Sequence, residues 1–354
     1  MHNIAILSFY SGVVERGVET FAFEIALRLS KKHQVTVFQG GNPKPFQKFK
    51  TTQIKANAKI PNAKRGVLGK FYLDYQSLKV LVFSARAIPL FLKGKYDFVI
   101  CLNGGWQTAI FKIASKLTST KVIIPGEAGI GSDDAWNILF HPDCFVALTM
   151  SQYDWAKKLS PEVNVTLIPN GVDLSKFNPK VRPRKINLPR PIVICTSALD
   201  PHKRVDQTIK AVAQAKLSLL LLGDGQARGA IDSLGKRLLG KNYLRLKVPY
   251  SEIPAYYRAA NVFTLASETE AFGIAYIEAM ACNLPVVTTS DDSRAEIIGR
   301  AGILTDVSDI KQYAKDLVIA TKSNYRNIPY DQSLKFSWNK VAQKYSNLLA
   351  NFQK

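Results

Sequence analysis

The chain has 354 residues, 47% of them hydrophobic, and a formal net charge of +21 at pH 7. This length exceeds what one ordinary core accommodates and predicts two domains. Its four widely spaced cysteines form neither a disulfide framework nor a zinc spacing, so we expect them to be small core residues. The sequence contains no apolar run long enough to span a membrane, and residues 1–8 enter a strand without the regions of a signal peptide. We therefore expect a cytoplasmic protein.

The positive charge is concentrated in residues 44–70, which contain eight basic residues and no acidic one. Aromatic and apolar residues follow at 71–75. Such a segment predicts peripheral contact with an anionic membrane surface, where each basic residue contributes about 1 kcal/mol. A solvated basic loop is the alternative interpretation. Nucleic acid is not an expected partner, because none of the usual binding motifs is present.

Short apolar runs alternate with helical patterns, which is typical of parallel sheets with crossover helices. A helix is predicted over residues 17–30 from its apolar periodicity. In chain order, the predicted strands are 4–9, 35–39, 98–102, 122–125, 145–148 and 165–168 in the first half, and 192–196, 217–222, 244–248, 262–266, 286–289 and 302–304 in the second.

The predicted domains are 1–182 and 183–334, with an interdomain linker at 179–191, where prolines and basic residues are frequent. The final segment, 335–354, is predicted to return to the first domain as a helix. Two doubly wound domains would meet across a cleft, and ligands of such sheets bind outside the carboxyl ends of the strands.

The most informative stretch is 266–287, where Glu270 follows a predicted strand and Glu278 lies on a helix predicted to begin near Phe272. Eight residues of helical rise span about 12 Å, so the two carboxylates could hold opposite ends of a long ligand. Gly273 would let that ligand approach the helix N-terminus, whose free amides favour a phosphate. A nucleotide-sugar has these parts in this order. The alternative is that both glutamates are solvated surface residues.

Three further motifs accompany this element: Asn-Gly-Val-Asp at 170–173, residues 199–206 after the first strand of the second half, and Leu-Gly-Asp-Gly at 222–225. Together they resemble a family 4 retaining glycosyltransferase of glycosyl transferases group 1, most strongly over 170–306. The resemblance implies the GT-B fold, an α/β architecture of two Rossmann-like doubly wound domains facing across a cleft.

The resemblance also implies an activity. The expected reaction moves a hexose-type sugar, with retention, from a nucleoside-diphosphate sugar, UDP or GDP, to a hydroxyl of a saccharide or lipid-linked acceptor, as in polysaccharide biosynthesis. No metal and no other cofactor is expected. The alternatives are a non-catalytic nucleotide-sugar-binding protein and a sugar-nucleotide epimerase of the same fold. A dehydrogenase is disfavoured, because the Gly-x-Gly-x-x-Gly fingerprint is missing after the first strand.

On the donor side, the resemblance assigns Lys203 to the diphosphate, Glu270 to the transferred sugar and Glu278 to the ribose hydroxyls. It also assigns the amides of Phe272, Gly273 and Ile274 to the phosphates. Where relatives carry a second cation, this chain has Ala198. Arg204 is the candidate replacement, with a surface role as the alternative.

Glycines supply the remaining donor-side candidates. Gly223 and Gly225 would turn the chain tightly beside the nucleoside, although a purely structural turn is an equal alternative. Gly17 would allow close approach to the diphosphate, and Arg16 stands where relatives often carry another glycine.

The acceptor side departs from the family, because the histidine that relatives place after the strand at 122–125 is missing. Glu127 and Asp133 are predicted instead to hold or polarise an acceptor hydroxyl, with Asp134 as a third possibility. Glycines at 126, 129 and 131 would make this loop pliable.

Overall fold

The computed structural model describes residues 1–14, 16–43, 48–57, 69 and 72–352. Its contacts divide the chain into two compact units, one of Met1–Asn170 with Trp338–Lys354 and one of Gly171–Ser337. Much of the basic segment at 44–70 lies outside the described residues.

The division after Asn170 differs from the predicted boundary at 182. Residues 171–182 pack in the second unit, where the Val172 amide donates to the Phe336 carbonyl at 2.8 Å. The Phe177 ring lies 5.6 Å from that of Tyr250. The proline-rich segment 179–191 therefore lies inside the second unit and does not join the two units.

The first unit contains a seven-stranded sheet in the order β3-β2-β1-β4-β5-β6-β7. All six pairings of neighbouring strands are parallel. Its strands are β1 (Asn3–Ser8), β2 (Gln34–Gln39), β3 (Lys50–Gln53), β4 (Phe98–Cys101), β5 (Lys121–Pro125), β6 (Cys144–Ala147) and β7 (Val165–Leu167). Its helices are α1 (Gly17–Leu29), α2 (Tyr75–Gly94), α3 (Trp106–Ser115), α4 (Ser132–Leu139), α5 (Met150–Leu159) and α13 (Trp338–Asn351).

Helices cover both faces of this sheet, so its central strands are apolar on both sides. Along β1, Ile4 and Ile6 join the core beneath α1 and α13, whereas Ala5 and Leu7 join the core beneath α2 and α3. In the first of these cores, the Phe21 ring lies 5.9 Å from that of Trp338.

The second unit contains a six-stranded parallel sheet in the order β10-β9-β8-β11-β12-β13. Its strands are β8 (Ile192–Thr196), β9 (Ser218–Leu222), β10 (Tyr243–Leu246), β11 (Val262–Leu265), β12 (Val286–Thr289) and β13 (Gly302–Thr305). Its helices are α6 (Val205–Gln214), α7 (Arg228–Leu239), α8 (Ile253–Tyr257), α9 (Ile274–Ala281), α10 (Asp292–Ile298), α11 (Ile310–Lys322) and α12 (Ile328–Ser333).

Both sheets have the doubly wound order of a Rossmann-like domain, which confirms the predicted fold class for each unit. All twelve predicted strands are present, with ends shifted by at most two residues. The four cysteines are free and buried, as expected. None of the helices within the described ranges combines the length and apolar character that a bilayer crossing requires.

Candidate active site

In the second sheet, β8 and β11 are neighbours although two strands separate them in the sequence. This is the point where the strand order reverses, and ligands of doubly wound sheets bind outside the carboxyl ends of the strands there. Lys203 ends a single 3-10 turn after β8, and Glu270 lies in the loop after β11. The fold thus brings two predicted site residues to one edge.

The side chains of Lys203 and Glu270 form an ion pair. Lys203 Nζ donates to Glu270 Oε1 at 2.7 Å, and the two side chains are only 19% and 13% exposed. Glu268, two residues earlier, is exposed. The structure therefore distinguishes two nearby glutamates, and only Glu270 joins Lys203.

Helix α9 begins at Ile274, two residues later than predicted, because Gly273 ends the preceding loop in a left-handed conformation with φ +81°. A Cβ at Gly273 would lie 2.3 Å from Cε2 of Tyr276, so no other residue fits without rearrangement. Since Glu270 precedes the helix, the helical-rise estimate of the distance to Glu278 does not apply. The Phe272 side chain is buried, and its ring lies 5.6 Å from that of Phe336.

Glu278 lies on α9 and is 4% exposed. The hydroxyl of Tyr250 donates to its Oε1, and that of Tyr257 donates to its Oε2 at 3.5 Å. Burial raises the pKa of Glu278 to about 7, although the two tyrosine hydrogen bonds oppose the shift. Within the described part of the chain, the partners of this buried carboxyl group are hydroxyl groups, which suits it to accept hydrogen bonds from a hydroxylated ligand.

Two arginines donate hydrogen bonds to the backbone carbonyls that directly follow β11. Arg204, with φ +47°, donates from Nε to the Ala266 carbonyl at 2.8 Å. Arg294 is 3% exposed and donates to the Ser267 carbonyl at 2.9 Å and to the Tyr276 hydroxyl at 3.1 Å. Arg294 is a site residue that was not predicted, because its position in α10 carries no sequence pattern that separates it from a surface arginine. A donor-binding role for Arg204 stays a prediction.

Gly223 and Gly225 lie against the chain that follows β8. A Cβ at Gly223 would lie 1.9 Å from the Ser197 carbonyl oxygen, and one at Gly225 would lie 2.7 Å from the Leu199 nitrogen. The Leu199 amide also donates to the Asp224 carbonyl at 3.0 Å. Close backbone packing therefore explains both glycines, and their contact with a nucleoside stays a prediction.

In the first unit, Gly17 is the first residue of α1, directly after the extended residue Arg16. The Arg16 guanidinium donates to Glu19 at 3.1 Å and lies 5.0 Å from the centre of the Tyr10 ring. Arg16 is 47% exposed, whereas its partner carboxylate is 4% exposed. This cation is thus held at the carboxyl edge of the first sheet, near the start of α1.

Glu127 follows β5 at the same edge. Asn170 Nδ2 donates to Glu127 Oε2 at 3.0 Å. Glu127 Oε1 and Asn170 Oδ1 are buried, and neither has a hydrogen-bond partner among the described residues. Burial raises the pKa of Glu127 to about 7, and the charge of Glu19 adds to the shift. In the sequence, Asn170 stands out only as part of a motif, and its pairing with Glu127 leaves no local pattern.

The other two acidic candidates differ in their surroundings. Asp133 accepts a hydrogen bond from the Tyr72 hydroxyl at 2.7 Å. Asp134 is 1% exposed and accepts hydrogen bonds from the amide of Gly129 and from the side chains of Asn137 and Gln152. Burial raises the pKa of Asp134 to about 8. Asp134 therefore serves to fix the loop, and Asp133 is the more accessible of the two.

Among the residues that the structure describes, no three His, Cys, Asp or Glu side chains are grouped as metal ligands would be.

The architecture is that of GT-B glycosyltransferases. The chain matches a sucrose-phosphate synthase from Thermosynechococcus elongatus with a TM-score of 0.81 at 19% identity, over 99% of each chain. It also matches Anabaena HepE, solved in complex with UDP and glucose, with a TM-score of 0.75 at 17% identity, over 99% of this chain and 100% of that one. At these identities the likeness concerns the fold.

The sequence of the second unit matches a family model. The match to the model for glycosyl transferases group 1 covers residues 177–330. A GDP-mannose-dependent alpha-(1-6)-phosphatidylinositol monomannoside mannosyltransferase from Mycolicibacterium smegmatis is 28% identical over 193 residues, which are 48% of this chain and 50% of that protein. The chain thus spans about half the length of the curated relatives it matches. The predicted resemblance to group 1 glycosyltransferases is confirmed.

Proposed function

We propose that this chain is a glycosyltransferase that moves a hexose-type sugar from a nucleoside-diphosphate sugar to a hydroxyl group, with retention of the anomeric configuration and without a metal ion. The observation that carries the proposal is the Lys203–Glu270 ion pair, at 2.7 Å, beside the reversal point of the second sheet. A cation held there can offset the negative charge of the donor diphosphate, and a carboxylate can stabilise positive charge near the anomeric carbon.

Each donor-side residue has a distinct task in this proposal. Lys203 binds the diphosphate, together with the first amides of α9, which have no acceptor within the helix. Glu278 accepts hydrogen bonds from the ribose hydroxyls, and the ribose takes the position of the Tyr250 hydroxyl on Oε1. Glu270, released from Lys203 by the diphosphate, contacts the hydroxyls of the sugar.

The chemical step breaks the bond between the anomeric carbon and the diphosphate oxygen. The departing nucleoside diphosphate gains negative charge, which Lys203 offsets, and positive charge that develops near the anomeric carbon is stabilised by the Glu270 carboxylate. The acceptor oxygen attacks from the face that the diphosphate leaves, and its proton passes to the departing phosphate oxygen. This course retains the configuration and needs no metal ion.

The acceptor side rests on Glu127 and Asp133. The proposed acceptor is a saccharide or a lipid-linked saccharide, which accords with the phosphatidylinositol mannoside named in the Mycolicibacterium smegmatis relative. The same relative names GDP-mannose and the HepE structure holds UDP, so GDP and UDP are the donor bases proposed. A cytoplasmic location, with peripheral contact to anionic lipid through residues 44–70, completes the proposal.

The activity is tested by measuring release of UDP or GDP from a panel of nucleotide sugars, with and without saccharide acceptors. Glu270→Gln and Lys203→Ala are each expected to lower the rate about 100-fold or more while remaining folded. The matched controls are Glu268→Gln and Lys236→Ala, which change exposed residues of the same types. Unchanged rates in Glu270→Gln and Lys203→Ala would contradict the assignment, and nucleotide binding without any release would identify a non-catalytic binder.

A further inference from the structure

Two polar atoms are buried at the carboxyl edge of the first sheet. They are Glu127 Oε1 and Asn170 Oδ1, and neither has a hydrogen-bond partner within the described ranges of the chain. Asn170 is 1% exposed. Because buried polar groups are almost always paired, two unpaired oxygens on residues in contact need an explanation.

Glu127 and Asn170 are already joined by one hydrogen bond, from Asn170 Nδ2 to Glu127 Oε2 at 3.0 Å. If Glu127 is ionised, the two remaining oxygens of this pair are both acceptors, and neither can satisfy the other. A proton on Glu127 Oε1 removes the conflict, because the O–H group can then donate to Asn170 Oδ1. A carboxylic acid and an amide joined by these two hydrogen bonds form a closed, neutral pair.

The surrounding charges also favour the neutral form of Glu127. The charge of Glu19 on α1 acts on it electrostatically and raises its pKa. The cation of this group, Arg16, is engaged with Glu19. The hydroxyl of Tyr345 on α13 stays neutral and adds no charge, since burial and then the charge of Glu127 raise its pKa.

The partners of the neighbouring carboxyl groups differ from those of Glu127. Both oxygens of Asp134 already have partners, since they accept from three N–H groups. Glu19 accepts two hydrogen bonds from the Arg16 guanidinium. Glu127 has a single N–H donor and an unpaired Oε1, so this oxygen can carry a proton and donate it to Asn170 Oδ1.

We propose that Glu127 is a carboxylic acid at neutral pH, that its O–H group donates to Asn170 Oδ1, and that Asn170 is the positioning residue that holds this proton at the acceptor-side edge. Burial, which raises the pKa of Glu127 to about 7, supports the same direction. The protonation state stands independently of the proposed transferase activity.

The consequence for function does rest on that activity. In its neutral form, Glu127 can donate or share a hydrogen bond with an acceptor hydroxyl. Ionisation removes this proton, so nucleoside-diphosphate release should slow as the pH rises through the titration of Glu127.

Infrared difference spectroscopy of the whole chain tests the protonation directly. The spectrum of wild type minus Glu127→Gln at about pH 5.5 is expected to contain a carboxylic acid C=O band, which disappears by about pH 9. Glutamine preserves the shape of the side chain, so the variant should fold. In Asn170→Ala, the band should move to the higher frequency of a less hydrogen-bonded acid.

Two controls separate Glu127 from the other buried carboxyl groups, because Asp134→Asn and Glu278→Gln should both keep the Glu127 band. If no acid band separates wild type from Glu127→Gln at about pH 5.5, the proposal is overturned. A second readout is the pH profile of nucleoside-diphosphate release, whose alkaline decline should be absent from Glu127→Gln. A band accompanied by the same decline in both proteins would overturn the link to the reaction while leaving the acid–amide pair in place.

Discussion

Replacing Glu278 with glutamine should change how the stability of the chain depends on pH. Glu278 is 4% exposed, and burial raises its pKa from the usual 4.5 to about 7. A group whose pKa is raised on folding contributes stability that is fully present below the unfolded pKa and is lost as the pH rises through the folded pKa. In the wild type this loss should fall between about pH 4.5 and pH 7, and glutamine, which does not titrate, should not show it.

The size of the effect follows from the shift. A change of about 2.5 pKa units corresponds to about 3 kcal/mol, at about 1.4 kcal/mol per unit. Glu278→Gln should therefore gain about 3 kcal/mol relative to the wild type between about pH 4.5 and pH 8. For a domain of this size the gain corresponds to roughly 6–12 °C in melting temperature.

The assay is thermal unfolding of both proteins at about pH 5 and pH 8, with Glu268→Gln as the control for an exposed glutamate. The difference in melting temperature between Glu278→Gln and wild type should increase at the higher pH, and Glu268→Gln should show no such trend. If the difference in melting temperature is the same at both pH values, burial does not raise the pKa of Glu278, and the buried environment assigned to it is refuted.

Three further predictions concern the second unit. Lys203→Ala should destabilise the chain by about 1–2 kcal/mol, because Glu270 loses its cation. The destabilisation should be smaller when Glu270→Gln is also present. If the two substitutions shift the urea unfolding midpoint additively, the ion pair is contradicted. Gly273→Ala should lower the free energy of unfolding by about 2 kcal/mol or more, since φ is +81° and the Cβ would meet Tyr276. A Cβ at the control position Gly229 meets no atom within 4 Å, so Gly229→Ala should stay within about 1 kcal/mol of the wild type. Similar unfolding midpoints for the two variants would refute this reasoning. Arg294→Met should lower stability by about 2 kcal/mol, because it removes a buried charged donor from the Ser267 carbonyl and the Tyr276 hydroxyl and breaks the ion pair with Asp291. The exposed control Arg300→Met should have little effect in the same denaturation assay.

The fold could be predicted well because its central strands are buried on both faces and read as continuous apolar runs. The exception is β3, whose residues Lys50–Gln53 are polar and at most half-buried. It is an edge strand, held by its pairing with β2 rather than by apolar burial. The predicted boundary at 182 followed composition, whereas the packing of Phe177 against Tyr250 decides that its segment belongs to the second unit.

The candidate site could be predicted only in part. Sequence order places Lys203 and Glu270 after strands, and the sheet order brings those strands together. The pairs themselves join residues far apart in the chain, such as Asn170 with Glu127 and Arg294 with Ser267. Such partners depend on tertiary packing, which leaves no local spacing in the sequence.

The central claim is that the carboxyl edge of the second sheet binds a nucleoside diphosphate through Lys203 and Glu278. Calorimetric titration of UDP and GDP into the wild type, Lys203→Ala, Glu278→Gln and the control Glu268→Gln measures this directly. We expect saturable binding of at least one nucleotide by the wild type and the control, and affinity at least about tenfold weaker, or about 1.4 kcal/mol, in the other two variants. Two results would contradict the account. One is binding in Glu278→Gln and Lys203→Ala that is as tight as in the wild type, and the other is no binding of either nucleotide by the wild type.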